Sequence, residues 1–165
     1  MKEVVMLVSC SKAKAAGELP ARELYQGELF KKASAFAELR GVLWFILSAK
    51  YGLVAPDQPI ESYNTRLDDL SAAERDYWGE TIVHDLTEET APVLITPSNA
   101  TIEIYAGELY TKPIKARLEA LGFTVAIPLA GFGIGQQLHK LKLEVERLKP
   151  AVPNATIKPK QEALL

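Results

Sequence analysis

Two uninterrupted apolar runs, Val4–Ser9 ("VVMLVS") and Val42–Leu47 ("VLWFIL"), constrain the fold of this 165-residue chain more than any other feature. A strand with one wet face alternates apolar and polar residues, and these two runs do not. Each therefore reads as a strand buried on both faces. Between them, Pro20 opens a helical pattern that Leu24, Phe30, Ala33 and Phe36 make apolar on one side, and Gly41 stops it. Ser71 stands three residues before Glu74, the spacing of a capping box, and predicts a helix from Ala72 to about Thr87. Beyond it, Val93–Thr96 and Thr101–Tyr105 flank "PSNA", and one or both are expected as strands. A helix over Glu108–Leu121 ends at Gly122. "FTVAIPL" reads as a further strand, and a last helix runs to about Leu148.

The order is strand and helix, four times over. Continuous apolar strands alternating with amphipathic helices predict an α/β domain with a mostly parallel open sheet of four to five strands and helices on both faces, a Rossmann-like three-layer arrangement. One domain is expected over residues 1–149, with 150–165 as a loose tail or docked arm. No internal repeat interrupts this plan.

Bulk chemistry excludes several classes. The net charge of −2 gives no global basic field for nonspecific nucleic-acid binding. Cys10 is the single cysteine, so an internal disulfide is impossible and a zinc cluster is not expected. No metal or cofactor is expected, and a reducing cytoplasm suits the cysteine count. The apolar start is too short and wrongly flanked for a signal peptide or membrane span.

The unusual residues fall just after strands. "SCSKAK" follows the first, "SAKYGLV" the second, "YAGELY" the strand ending at Tyr105, and "PLAGFGIGQQ" the last. In an open parallel sheet those carboxyl ends share one edge, where ligands bind. Candidate binding residues are Ser9, Ser11, Lys12, Ser48, Tyr51, Gly52, Tyr63, Tyr105, Gly107, Tyr110, Gly131, Gly133, Gly135 and Gln136. Lys12, just past a buried strand, suits a phosphate contact. Tyr51, Tyr63, Tyr105 and Tyr110 suit stacking on a base or packing of loops. "GFGIG" lacks the setting of a dinucleotide fingerprint but presents amides at a helix start. Cys10, His84 and His139 read as structural residues, and Trp78 as core. Lys140, Lys142, Arg147 and Lys149 form a basic strip diluted by Glu144 and Glu146.

"LSAKYGLVAPDQPIESYNTRL", with "YWGETI" and "YAGELY", resembles the YaaA family of peroxide-stress proteins, above all its short bacterial and phage relatives of unknown function. Lys12 matches the lysine of that family's turn after the first strand, where Cys10 replaces a proline. Leu47, Ser48, Tyr51, Gly52, Pro56, Tyr63, Trp78 and Gly79 match further positions, and Lys50 matches the short relatives. The resemblance covers residues 1–140 in patches and implies nucleic-acid chemistry. It implies a nucleotide, nucleobase or DNA as partner, no membrane, and glycosylase-like or base-modifying catalysis. Lys50, Asp57 and Glu108 are then the catalytic candidates, a carboxylate steadying an oxocarbenium-like sugar. The alternative is a noncatalytic DNA-binding or oxidative-stress module.

Overall fold

The computed structural model describes residues 2–88 and 93–149. In chain order its strands are β1 (Glu3–Ser9), β2 (Glu18–Pro20), β3 (Leu43–Ser48), β4 (Gly52–Val54), β5 (Pro59–Glu61), β6 (Ala100–Tyr105) and β7 (Thr124–Ala126). Its helices are α1 (Ala21–Leu24), α2 (Glu28–Arg40), α3 (Ala72–Thr87), α4 (Glu108–Ala120) and α5 (Ile134–Leu148), with a 3-10 turn at Leu67–Asp69. The main sheet has the order β4-β3-β1-β6-β7, and all its pairings are parallel except β3 with β4.

Both faces of this sheet are buried, as the unbroken apolar runs require. Val5 and Leu7 point to one side with Phe45, Leu47, Ile102 and Ile104, under Trp78, Ile82 and Leu86 of α3 and Ile114 and Leu118 of α4. Met6 and Val8 point to the other with Trp44 and Ile46, under Phe30, Phe36 and Ala37 of α2 and Leu141 of α5. The result is a three-layer, mostly parallel α/β fold.

The chain departs from expectation between Pro20 and Gly27. The predicted helix does not begin at Pro20. Glu18–Pro20 pairs antiparallel with Pro59–Glu61 in a small second sheet, one helical turn follows, and the long helix starts at Glu28. Two long-range contacts impose the break. Tyr25 bridges Lys14 as an isolated antiparallel pair, and Gly27 sits so close to Ser11 that an added Cβ would lie 2.7 Å from the Ser11 Cβ. Gly41 ends α2 with φ 67, the left-handed conformation that glycine adopts without strain. The Val93–Thr96 run is not a strand, whereas Ala100–Tyr105 is. The tail reading at 150–165 lies outside the described residues. No helix among the described residues is long and apolar enough to cross a membrane.

The topology places the site. From β1 the chain crosses to β3 on one side, then returns past β1 to β6 and on to β7. The winding reverses at β1, so the loops leaving β1 and β6 turn away from each other and open a crevice at the carboxyl edge.

Candidate functional site at the carboxyl edge

The turn after β1 is pinned before any functional side chain is considered. The Cys10 amide donates to the Leu47 carbonyl at 3.0 Å, extending the β1–β3 ladder by one residue. The Ser11 hydroxyl accepts from the Gly27 amide at 3.1 Å and donates to the Ala13 carbonyl at 2.8 Å. The Ala15 and Gln26 amides donate to the Leu24 and Ala13 carbonyls, so residues 13–15 run against 24–26. Lys14 and Tyr25 are thereby fixed side by side.

Ser48, the last residue of β3, is fully buried and organises the next loop. Its hydroxyl accepts from the Tyr51 amide at 2.9 Å, and its carbonyl accepts from the Trp78 indole at 2.9 Å. Gly52 takes φ 76 and turns the chain back into β4. The Ser48 hydroxyl is 2.8 Å from the Tyr63 hydroxyl, which is 2.7 Å from the Tyr25 hydroxyl. Tyr51 packs edge-on against Tyr63, with ring centroids 5.4 Å apart. The Lys14 ammonium lies over the Tyr63 ring, 4.4 Å from its centroid, and 5.9 Å from that of Tyr25. On the far side of Cys10, the Tyr110 hydroxyl in the first turn of α4 is 3.4 Å from the Cys10 sulfur. Tyr110 itself packs edge-on against Trp78 at 5.6 Å.

Cys10, Lys14, Tyr25, Ser48, Tyr63 and Tyr110 thus form one polar cluster across the ends of β1 and β3. Burial dominates its electrostatics. It raises the Tyr25 hydroxyl to about 12, against hydrogen bonding from Ser48 and Tyr63, which favours the phenolate. Burial, and next the Cys10 thiol, push Tyr63 and Tyr110 well above the ordinary tyrosine range. All three hydroxyls are therefore neutral hydrogen-bonding groups at physiological pH. Burial also pulls the Lys14 ammonium below the usual lysine value, against the attraction of Cys10.

Beside this cluster, the crevice between β1 and β6 encloses about 340 Å³, lined among others by Ser9, Cys10, Ser11, Gly27, Tyr105 and Ile134. It lies at the starts of both α2 and α5. Neither the Gly27 nor the Gly133 cap position offers a side-chain oxygen to the first helical amides.

The expected residues divide among three places. Ser9, Ser11 and Tyr105 line the crevice, while Ser48, Tyr63 and Tyr110 belong to the cluster beside it. The Tyr105 hydroxyl is committed elsewhere: it donates to Glu103 at 2.7 Å, which pairs with Arg40 at 2.7 Å. Gly107, Glu108 and Gly131 line a separate cavity of about 620 Å³ at the ends of β6 and β7. Gln136 accepts from the Gly133 amide and caps α5, and Gly135 is exposed on its first turn. Lys50, Tyr51 and Gly52 line a shallow hollow against Tyr77 and Trp78 of α3, with the Lys50 ammonium 5.2 Å over the Tyr51 ring. Asp57 is exposed and bound to Arg22 at 2.9 Å. The three catalytic candidates, Lys50, Asp57 and Glu108, are therefore not assembled into one group. Lys12 is exposed.

Lys14 and Tyr25 were not singled out by sequence reasoning. Tyr25 lies inside an apparent helical pattern, and Lys14 differs from Lys12 only in which way the turn carries it. Trp78 is core, as expected, and its indole also fixes the Ser48 carbonyl.

Fold and site together define a doubly wound α/β protein with a crevice at the carboxyl edge of its sheet and a thiol, hydroxyl and ammonium cluster beside it. The chain belongs to a family of unknown function, DUF6884, whose model matches residues 5–143, a span that takes in every residue of the cluster. No curated protein matches it.

Proposed function

We propose that the protein is an enzyme acting on a nucleotide or nucleobase, with its ligand in the β1–β6 crevice and chemistry at the base or its N-glycosidic bond. The observation that carries this reading is the convergence of Cys10, Lys14, Tyr25, Ser48, Tyr63 and Tyr110 at the strand ends beside that crevice. Burying polar groups is costly, and here Tyr25 and Ser48 are buried and Cys10, Lys14, Tyr63 and Tyr110 half-buried around them, a concentration that a purely structural role for this edge does not require. The crevice volume falls in the lower part of the about 300–1,000 Å³ range of small-molecule sites. The resemblance to YaaA proteins supports nucleic-acid chemistry in particular. The roles first given to Asp57 and Glu108 pass to the cluster. Cys10 is the nucleophile at the crevice wall. Its sulfur displaces the base from the sugar carbon, and its proton passes by way of the Tyr110 hydroxyl, 3.4 Å from the sulfur, to the departing base. Water or an incoming base then takes the sugar and returns a proton to sulfur.

The test is turnover. The protein is incubated with nucleosides, their 5′-monophosphates and single- and double-stranded oligonucleotides, and released or exchanged base is measured by mass spectrometry. Turnover of at least one substrate, lost in Cys10→Ser with the fold intact, is the expected result. Salt-sensitive, sequence-indifferent oligonucleotide binding without turnover supports instead a noncatalytic DNA-binding module of the YaaA type. The basic strip on α5 gives that alternative little help, since Arg147 is held by Glu144 at 2.7 Å.

A further inference from the structure

We propose that the cavity between α5 and the β6 face of the sheet is a second ligand site, and that it takes a small organic anion, one carboxylate carried on an aromatic or branched aliphatic body. This does not rest on the function proposed above, since none of the charged residues of this cavity lines the crevice.

The strand pattern creates the cavity. β1 and β3 are apolar on both faces, and β6 is not. Ile102 and Ile104 enter the core under α3 and α4, while Glu103 and Tyr105 turn to the side of α2 and α5. Elsewhere that side is filled by Met6, Trp44, Phe36 and Leu141. Along Glu103 and Tyr105 a cavity of about 540 Å³ opens instead, with Phe36, Leu129, Leu141 and Leu143 as its apolar lining. Its volume lies within the range of about 300–1,000 Å³ typical of small-molecule sites.

The charged wall is not something the fold requires. The Arg40 guanidinium holds the Glu103 carboxylate at 2.7 and 3.4 Å and lies 4.9 Å over the Phe36 ring. The Tyr105 hydroxyl donates to the same carboxylate at 2.7 Å. Only 23% of the Arg40 side chain and 17% of that of Glu103 are exposed. A desolvated ion pair seldom stabilises a fold more than apolar side chains of the same size, so a pair kept at a cavity wall points to a ligand. Lys140, Glu144 and Arg147 complete the charged lining. Arg147 is held by Glu144 at 2.7 Å, as Arg40 is by Glu103. Lys140 has no carboxylate partner among the described residues, and its ammonium lies 4.8 Å over the Phe132 ring. Three cations thus face two carboxylates around one space. Arg147 holds the Glu144 carboxyl below the usual carboxylate range, and Arg40 and Lys140 add to its effect, so the charges act on each other. One positive charge is left unbalanced among apolar walls. A single carboxylate neutralises it, and an apolar body fills the rest.

The experiment uses the full chain at fixed ionic strength. Benzoate, acetate, benzyl alcohol, benzylamine and inorganic phosphate are titrated by ligand-observed NMR. Benzoate is expected to bind about tenfold or more tightly than acetate, which lacks the body, and than benzyl alcohol, which lacks the charge. Lys140→Met is expected to weaken benzoate several-fold. Leu143→Glu cancels the surplus charge from an exposed position and is expected to abolish binding. Lys142→Met, on the same helix but outside the lining, is expected to change nothing. Glu103→Gln keeps an acceptor for Arg40 and Tyr105 while removing a negative charge, and is expected to tighten benzoate several-fold. Should that variant fail to fold, Leu143→Glu decides. Equal binding of benzyl alcohol, or a preference for benzylamine, overturns the anion site. Equal binding of acetate or phosphate overturns the apolar body. Affinity that survives both Lys140→Met and Leu143→Glu, or that falls as far in Lys142→Met as in Lys140→Met, overturns the location. A protein that binds no benzoate overturns the proposal whole and leaves the reading of the crevice untouched, since no nucleotide enters the measurement.

Discussion

Ser48 shows how much one side chain sets at this edge. Its hydroxyl joins Tyr63 and the Tyr51 amide, and its carbonyl holds the Trp78 indole. Ser48→Ala leaves the indole contact but removes the acceptor of the Tyr51 amide and one of the two hydroxyl partners of Tyr63, so it is predicted to cost about 1 kcal/mol. Urea unfolding followed by circular dichroism checks this, and an unchanged midpoint would mean the triad contributes nothing to stability. Ser48, Tyr51 and Tyr63 were legible in the sequence because they follow a buried strand with Gly and Pro around them. Lys14 and Tyr25 were not, since neither residue type nor spacing reveals that the chain at 13–15 doubles back on 24–26. That pairing is a tertiary contact, and it decides which of two nearby lysines faces the tyrosines.

At the scale of elements, α3 was legible almost residue by residue. Ser71 accepts from the Glu74 amide at 3.1 Å while the Glu74 carboxylate accepts from the Ser71 amide at 2.8 Å, the reciprocal cap its sequence announces. Its pairing with α4 was not legible. Gly79 faces Pro113 so closely that an added Cβ would lie 2.6 Å from both the proline Cβ and its carbonyl oxygen. Gly79→Ala should gain about 1 kcal/mol of helix propensity. Backbone cannot yield as a side-chain end can, so an overpacking cost of about 1–3 kcal/mol is expected to exceed that gain. A lower melting temperature with retained helix content is the predicted result, and a higher one would show that α4 moves freely. Because α4 carries Tyr110, the same substitution is expected to weaken ligand binding at the crevice.

Across the whole molecule, the alternation of strands and helices told the architecture, and the two uninterrupted runs told that the central strands are covered twice. The order of strands did not follow from the pattern, and it is the reversal of winding at β1 that makes the crevice. Four tyrosines around this edge, Tyr25, Tyr63, Tyr105 and Tyr110, are all raised by burial. A group whose folded value exceeds its unfolded one stabilises the fold below the unfolded value and loses that contribution as pH rises towards the folded one. Tyr25 rises from 10.0 to about 12, so stability is predicted to hold to about pH 10 and to fall between pH 10 and 12. Chemical denaturation across that range checks the slope, which should be shallower in Tyr25→Phe. The most direct test of the central claim uses Trp78, whose indole touches Ser48 and packs on Tyr110, as a reporter in a Trp44→Phe background. Titration with nucleoside 5′-monophosphates is predicted to give a saturable change in its fluorescence, whereas an emission unmoved by every nucleotide, in a protein shown to be folded, would contradict a nucleotide site at this edge.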